Sequence, residues 1–301
     1  MYKKKIIGID VGGSTTKIVG FDLSKNVPEL IPPMFVKATD QLTSIYGAFG
    51  KFTLENGIAL SDIDSILMTG VGASYINDPI YSLECRKVDE FSSIGRGGLY
   101  LSGLNEAIVV SMGTGTALIH AKKVGSDVQT TYLGGTGVGG GTIVGLSRKM
   151  LGIDDITHLE SLCEGGNLDK VDLRIKNLSK KKTYENMNDD LTASNFGNLS
   201  DLANKHDIAL GLCNMAAETI GMIAVFAARS YGIKDIVLTG NLTTISTIND
   251  TILTFNRLFG MNFITPDMAQ YGTVIGAALS ANAFKYSALV MLASVSSSAL
   301  A

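Results

Sequence analysis

Apolar residues in this chain gather in short runs that stop at glycine. Residues 5–10 (KIIGID) and 17–23 (KIVGFDL) are two such runs joined by GGSTT, and apolar runs around a tight glycine turn read as a β-hairpin. A helix is predicted over 40–56 and a buried strand over 65–69, with GVGAS at 70–74 as the turn after that strand. The pattern then restarts. NEAIVVSMGTGTALIHAKKV at 105–124 is again strand, Gly/Thr turn, strand, which implies an internal repeat whose two turns face one cleft from two lobes. Further on, GGTGVGGGTIVGLSRKML at 134–151 reads as a glycine loop opening a helix, 166–198 as polar and irregular, and 208–231 as a long helix. KDIVLTGNL at 234–242 is a strand ending in a Gly-Asn turn, and 270–284 a helix of small residues.

Length adds the domain count. A chain of 301 residues exceeds what one core usually holds, so two lobes are expected, 1–104 and 105–285, followed by a tail at 286–301 with no assignable chemistry. The composition, 46% hydrophobic and 18% charged with 34 glycines, is that of a globular, turn-rich protein rather than a disordered one. A net charge of −3 lacks the cationic field that nucleic-acid binding needs. Cys85, Cys163 and Cys213 are far apart, with no CxxC pair, and read as reduced thiols in a cytoplasmic protein. After MYKKK the apolar run breaks at Asp10, too soon for an export signal, and 208–231 contains Asn214, Glu218 and Arg229, so a buried helix is expected there instead of a membrane span.

The turns carry the chemistry. Asp10 ends a strand just before Gly12 and Gly13, where absent side chains let backbone N–H groups approach an anion, and Ser14, Thr15 and Thr16 add hydroxyls. Asp10 is suited to hold Mg²⁺ through water and Lys17 to neutralise phosphate charge. SMGTGT at 111–116 repeats this combination after a second strand. In GGTGVGGGT the amides and the positive end of the following helix suit a phosphate, and LTGNL at 238–242 suits a base or ribose.

Taken in order, DVGGSTTK, SMGTGT, GGTGVGGGT, DLTASNFG at 190–197 and LTGN resemble the type II pantothenate kinases over residues 5–280. The resemblance implies an α/β, two-lobed actin-like ATPase fold built from duplicated ribonuclease H-like domains. It implies ATP and Mg²⁺, phosphorylation of the terminal hydroxyl of pantothenate at the start of coenzyme A synthesis, and a cytoplasmic homodimer. Nucleotide contacts are then expected from Asp10, Val11, Gly12, Gly13, Ser14, Thr15, Thr16 and Lys17, and from Gly113, Thr114, Gly115 and Thr116. Others are expected from Gly139, Gly140, Gly141, Thr142, Ile143 and Val144, and from Gly240 and Asn241. The family's general base is a glutamate in a Glu-Phe pair ahead of a helix, which in VDEFSSIG corresponds to Glu90 rather than Asp89. The long helix, with Met215, Ile220, Met222 and Phe226, serves either the core or a dimer interface.

One position departs from the family. Tyr132 stands where the family has an arginine that helps hold the substrate and the transferring phosphate, so Tyr132 is a candidate substrate contact and Arg96, Arg148 or Lys17 would have to supply the cation. Two other functions stay open on the sequence. One is a non-catalytic nucleotide or coenzyme A sensor. The other is an ATPase like the activators of 2-hydroxyacyl-CoA dehydratases, which share the DxGSTTxK opening but hold an iron–sulfur cluster through paired cysteines. The zinc loop CxCGxxGC of some sugar kinases is absent.

Overall fold

A computed structural model describes residues 4–13, 15–25, 27–37, 40–76, 78–178 and 191–281. In chain order its elements are β1 (Lys5–Val11), β2 (Thr15–Asp22), β3 (Glu29–Lys37), α1 (Gln41–Glu55), β4 (Ile63–Thr69), β5 (Cys85–Lys87) and α2 (Glu90–Ser102). The second half begins with β6 (Glu106–Met112), β7 (Thr116–Val124), β8 (Asp127–Thr136), α3 (Gly140–Leu151) and α4 (Ile156–Cys163). It continues with β9 (Leu173–Arg174), α5 (Ile175–Leu178), β10 (Thr192–Ser194), α6 (Lys205–Ser230) and β11 (Asp235–Thr239). The last elements are α7 (Ser246–Leu253), α8 (Phe255–Phe259), β12 (Asn262–Ile264) and α9 (Gly272–Leu279). The call on Ser14 and that on residues 286–301 lie outside the described residues.

The repeat extends through both sheets. The first has the order β3-β2-β1-β4-β5 and the second β12-β11-β6-β7-β8, so that β6, β7, β8, β11 and β12 match β1, β2, β3, β4 and β5. Orientations match too: the first three strands of each set are antiparallel, the last two parallel to the first. Alternation within β1 explains how one strand serves two layers, since side chains at successive positions point to opposite faces. Ile7, Ile9 and Val11 pack with Ile45, Phe49 and Phe52 of α1, while Ile6 packs with Val274, Ile275 and Ala278 of α9.

The lobes exchange their last helices. Helix α2 precedes residue 104 yet buries Ile94 and Leu99 against Ala107, Val109, Ile119 and Val237 of the second sheet, whereas α9, near the end of the chain, packs on the first. Between the sheets the two helices touch backbone to backbone. A Cβ on Gly97 would lie 1.8 Å from the Gly272 carbonyl oxygen, and one on Gly276 would lie 1.8 Å from that of Ser93, so only glycine permits this crossing.

Within the polar segment 166–198, the described residues 166–178 and 191–198 carry regular structure that composition does not suggest. β9 and β10 pair in a small sheet, and Asp172, fully buried, accepts hydrogen bonds from the Phe196 N–H (2.8 Å) and from Asn214 Nδ2 of α6 (2.9 Å). Asp172 is thus a buried polar residue whose partners come from within the segment and from α6, a pattern with no apolar period to read. Helix α6 is long and apolar enough to cross a bilayer by length and composition, and it lies in the core of the second lobe with Ala209, Leu212, Ala216, Ile220 and Ala224 buried. Cys163 and Cys213, distant in sequence, are free thiols whose sulfurs lie 3.5 Å apart in that core.

Candidate active site

Each sheet delivers one glycine turn to the space between the lobes. In the β1–β2 turn the Gly12 N–H donates to the Thr15 carbonyl at 2.9 Å, and in the β6–β7 turn the Gly113 N–H donates to the Gly115 carbonyl at the same distance. A Cβ on Gly13 would meet nothing within 4 Å, so neither packing nor backbone angle requires glycine there; its absent side chain leaves room in the cleft. Gly70 and Gly240 close the strands β4 and β11 with φ of +87° and +92°. A Cβ at these positions would come within 2.5 Å of the Val11 carbonyl oxygen and 2.6 Å of the Met112 carbonyl oxygen, so the two turns are equivalent, and they bring Val71 and Asn241 to the cleft.

The cleft has a volume of about 330 Å³. Among the residues expected from sequence, Asp10, Gly12, Gly13, Thr15, Lys17, Glu90, Gly113, Thr114, Gly115, Thr116, Gly240 and Asn241 line it. Ser111, Ala117, Thr136, Ile94 and Thr273 join them; Thr273 is the second residue of α9, and nothing in its local sequence marks it as a site residue. Val11 and Thr16 are buried behind the first turn.

The third glycine loop sits differently from a free phosphate cradle. The Gly140 and Gly141 N–H groups donate to the Gly113 and Thr114 carbonyls (2.8 and 2.9 Å), and the Gly139 N–H points to Thr142 Oγ1 at 3.3 Å. A Cβ on Gly139 would be 2.6 Å from the Thr114 carbonyl oxygen, so these glycines let the start of α3 dock on the second turn. What that helix end offers the cleft is its partial positive charge. Ile143 is buried, and none of Gly139 to Val144 lines the cleft.

Electrostatics concentrate on the cleft floor. Asp10 and Lys17 are cross-strand partners in the first hairpin. Burial pushes the Asp10 carboxyl up to about 6, against the opposing pull of Lys17, with Glu90 adding to the rise. Lys17 is 6% exposed and donates through Nζ to the Gln270 carbonyl at 2.7 Å; burial lowers its pKa and Asp10 counters that. Helix α2 separates the roles of two adjacent carboxylates. Asp89 is the N-cap, accepting from the Ser92 N–H at 2.7 Å, while Glu90 at the first helical position faces the cleft, its carboxyl raised by burial and then by Asp89.

A buried carboxylate on the floor of a cleft walled by glycine turns fits a magnesium ion that keeps its water and shares nucleotide phosphates. Among the described residues no three His, Cys, Asp or Glu side chains gather as a metal site, so Asp10 would be the ion's protein anchor.

Tyr132 lies off this cleft. It is 50% exposed on β8 and its ring stacks on Phe91 of α2, centroids 4.2 Å apart and planes 13° apart. Nor do the two arginines among the expected replacement cations line the cleft: Arg96 pairs with Asp127 Oδ1 at 2.6 Å, and Arg148 lies 3.5 Å from Asp154 Oδ2. Only Lys17 of the three lines the cleft.

The model of the Fumble family matches residues 102–263. A type II pantothenate kinase of Staphylococcus epidermidis is 31% identical over 244 residues, covering 78% of this chain and 84% of the relative. The chain belongs to the type II pantothenate kinase family. The type II pantothenate kinase of Oceanobacillus iheyensis is 27% identical over 289 residues, covering 92% of this chain and 99% of the relative. Solved structures agree on the fold. The activator of 2-hydroxyisocaproyl-CoA dehydratase from Clostridium difficile with bound ADPNP superposes with a TM-score of 0.64 at 18% identity, covering 95% of this chain and 97% of that one. A ROK family glucokinase from Streptomyces griseus in complex with glucose and AMPPNP does so at 0.56 and 12% identity, covering 93% and 99%. The chain thus has the two-lobed actin-like α/β fold, and its family is one of phosphotransferases.

Proposed function

We propose that the chain phosphorylates the terminal hydroxyl of pantothenate or a pantetheine-like alcohol with ATP, the acid giving 4′-phosphopantothenate at the start of coenzyme A synthesis in the cytoplasm. The observation that carries this is the meeting of Glu90, Asp10 and both glycine turns in one cleft.

In this reading the two turns receive the phosphates of ATP, and Gly240 and Asn241 the nucleoside. Magnesium held at Asp10 supplies charge neutralisation for the polyphosphate. Glu90 accepts the proton of the acceptor hydroxyl as its oxygen bonds to the γ-phosphorus and the bond from phosphorus to the ADP oxygen breaks. Its carboxyl, raised by burial and then by Asp89, is a stronger base than a solvated carboxylate, which suits that work. Lys17, beside Asp10, stabilises charge on the phosphates, and positioning accounts for most of the rate.

An assay of ADP release with pantothenate and pantetheine tests the reading. Turnover is expected to depend on the acceptor, and Glu90→Gln should lower kcat by about 10²–10⁴-fold with the ATP-induced rise in melting temperature kept. Asp89→Ala, which removes a helix cap and the lesser of the two influences on the Glu90 carboxyl, should cost about 1 kcal/mol of stability and leave most of the activity. ADP release that no alcohol stimulates would sink the kinase reading in favour of a nucleotide sensor. The enzyme is also read as a homodimer formed through the outer side of α6.

A further inference from the structure

We infer that Thr69 is a positioning residue for the magnesium anchor: its hydroxyl donates to the Asp10 carboxylate when the ion is bound and fixes that carboxylate toward the cleft. The inference rests on the assignment of magnesium to Asp10 above. Asp10 and Thr69 are paired residues of the adjacent parallel strands β1 and β4, as are Gly8 and Leu67 two positions earlier. Side chains return to the same face of a sheet at every second residue. Leu67 packs with Val274 and Ala278 of α9, and a Cβ on Gly8 would lie 2.6 Å from the Val274 carbonyl oxygen. Asp10 and Thr69 therefore stand side by side on the α9 face, at the strand ends, where Asp10 lines the cleft. Asp10 Oδ1 already leans over the end of β4, 2.6 Å from where a Cβ on Gly70 would be.

Both groups lack hydrogen-bond partners. Thr69 is 1% exposed, and its Oγ1 has no partner among the described residues. Asp10 receives no hydrogen bond from them either; the Lys17 ammonium acts on it by charge and gives its hydrogen bond to the Gln270 carbonyl. A buried hydroxyl without a partner costs stability, and folded proteins keep few of them. The matching threonine of the second lobe shows the alternative. Thr239 ends β11 as Thr69 ends β4, precedes the equivalent turn glycine and pairs with Ser111 instead of a carboxylate. Its Oγ1 donates to the Val110 carbonyl at 3.3 Å. The corresponding acceptor for Thr69 is the Ile9 carbonyl, which Thr69 leaves unused. Of the two, the hydroxyl is thus free only in the lobe where its neighbour is the acid, and carboxylates that hold a metal are themselves held by such outer donors. Thr16, the other threonine with an unpartnered buried hydroxyl, pairs with Val11 and so faces away from Asp10.

The test reads binding and so stands apart from turnover. Calorimetry gives the affinity of the full chain for the β,γ-imido analogue of ATP with magnesium and with EDTA, and the ratio of the two is the contribution of the metal. Magnesium should tighten binding to the wild type, and Thr69→Val should reduce the ratio by about tenfold or more with the affinity in EDTA unchanged. Thr69→Ser, which keeps the hydroxyl, should retain the ratio, as should Thr239→Val. In urea without nucleotide, Thr69→Val should unfold at or above the wild-type midpoint, because it removes an unpaired hydroxyl, whereas Thr239→Val should unfold below it. A threonine that served the fold alone would give the reverse for Thr69→Val, a lower midpoint and an unchanged ratio. An unchanged ratio in Thr69→Val, or in Thr69→Ala should the valine variant not fold, overturns the inference and leaves the kinase reading standing. A wild-type ratio of one removes the magnesium anchor and this inference with it, while ADP release that no alcohol stimulates removes the kinase reading alone.

Discussion

Lys17 Nζ donates to the carbonyl of Gln270 at 2.7 Å, linking the hairpin of the first sheet to the turn that leads into α9 across 253 residues of sequence. The same ammonium is the cross-strand partner of Asp10 on the cleft floor. Lys17→Met removes both relationships and strands a buried carbonyl and a buried carboxylate. Loss of about 1–3 kcal/mol is expected at pH 8. Less is expected at pH 5, where Asp10, raised to about 6, already holds a proton and has no charge to pair. Urea melts at the two pH values measure this, and equal losses would show that Lys17 acts on stability only through Gln270.

Asp10 itself should make the ligand-free protein less stable as pH rises. Its carboxyl titrates near 3.8 in an unfolded chain and at about 6 when folded. Between these values the folded state holds a proton that the unfolded state has lost, so stability is greatest below the lower value and declines through the upper one. Asp10→Asn removes the burden, and the ligand-free variant should gain about 1–3 kcal/mol at pH 8 and nothing at pH 4. The variant should also lose the extra thermal shift that magnesium adds to ATP. A destabilised Asp10→Asn protein at pH 8 would contradict the assignment of burial as the dominant influence on this carboxyl.

How much of this was legible in sequence depends on whether an interaction is local. The hairpins at Asp10 to Lys17 and at 111–116 announce themselves, because alternation, glycine and hydroxyl residues all lie within a dozen positions. The strand ends at Gly70 and Gly240 are readable for the same reason. Contacts between distant residues are not. Nothing near Phe91 says that its ring meets Tyr132, 41 positions on by their numbering, and nothing near Gln270 says that its carbonyl holds Lys17. The glycines of the third loop were conspicuous, but composition alone did not distinguish amides open to a phosphate from amides bonded to Gly113 and Thr114. Asp89 and Glu90 are adjacent and chemically alike, and it takes the start of α2 to make one a cap and turn the other to the cleft.

The glycine crossing of α2 and α9 should be intolerant of a single methyl group. In Gly276→Ala the new Cβ would stand 1.8 Å from the Ser93 carbonyl oxygen, which belongs to backbone and does not swing aside. The helices must separate, at a cost of about 2–3 kcal/mol. Because α2 begins at Glu90 and α9 begins beside Thr273 in the cleft, that separation should also lower kcat by more than the stability loss explains. Gly145→Ala in α3 is the matched control: a Cβ there meets nothing within 4 Å, and replacing a helical glycine should stabilise by about 0.5–1 kcal/mol. Thermal melts and acceptor-saturated rates of the two variants test the pair, and a Gly276→Ala enzyme with wild-type kcat would show that the crossing does not position Glu90.

Helix α6 divides its apolar residues between two uses. Ile220 is fully buried in the core of the second lobe, Met215 and Met222 pack against that core while partly exposed, and Phe226 is 58% exposed one turn after Met222. Spacings of seven and four place Met215, Met222 and Phe226 on one outward stripe. Two copies meeting along such a stripe about a twofold axis would each cover the other's Phe226. Light scattering should then give about twice the 31.8 kDa of one chain. Phe226→Glu should reduce the mass to that of a single chain with little change in the urea midpoint of the separated subunit, since a side chain this exposed contributes little to the core. A wild-type protein that elutes as a single chain at micromolar concentration removes the dimer.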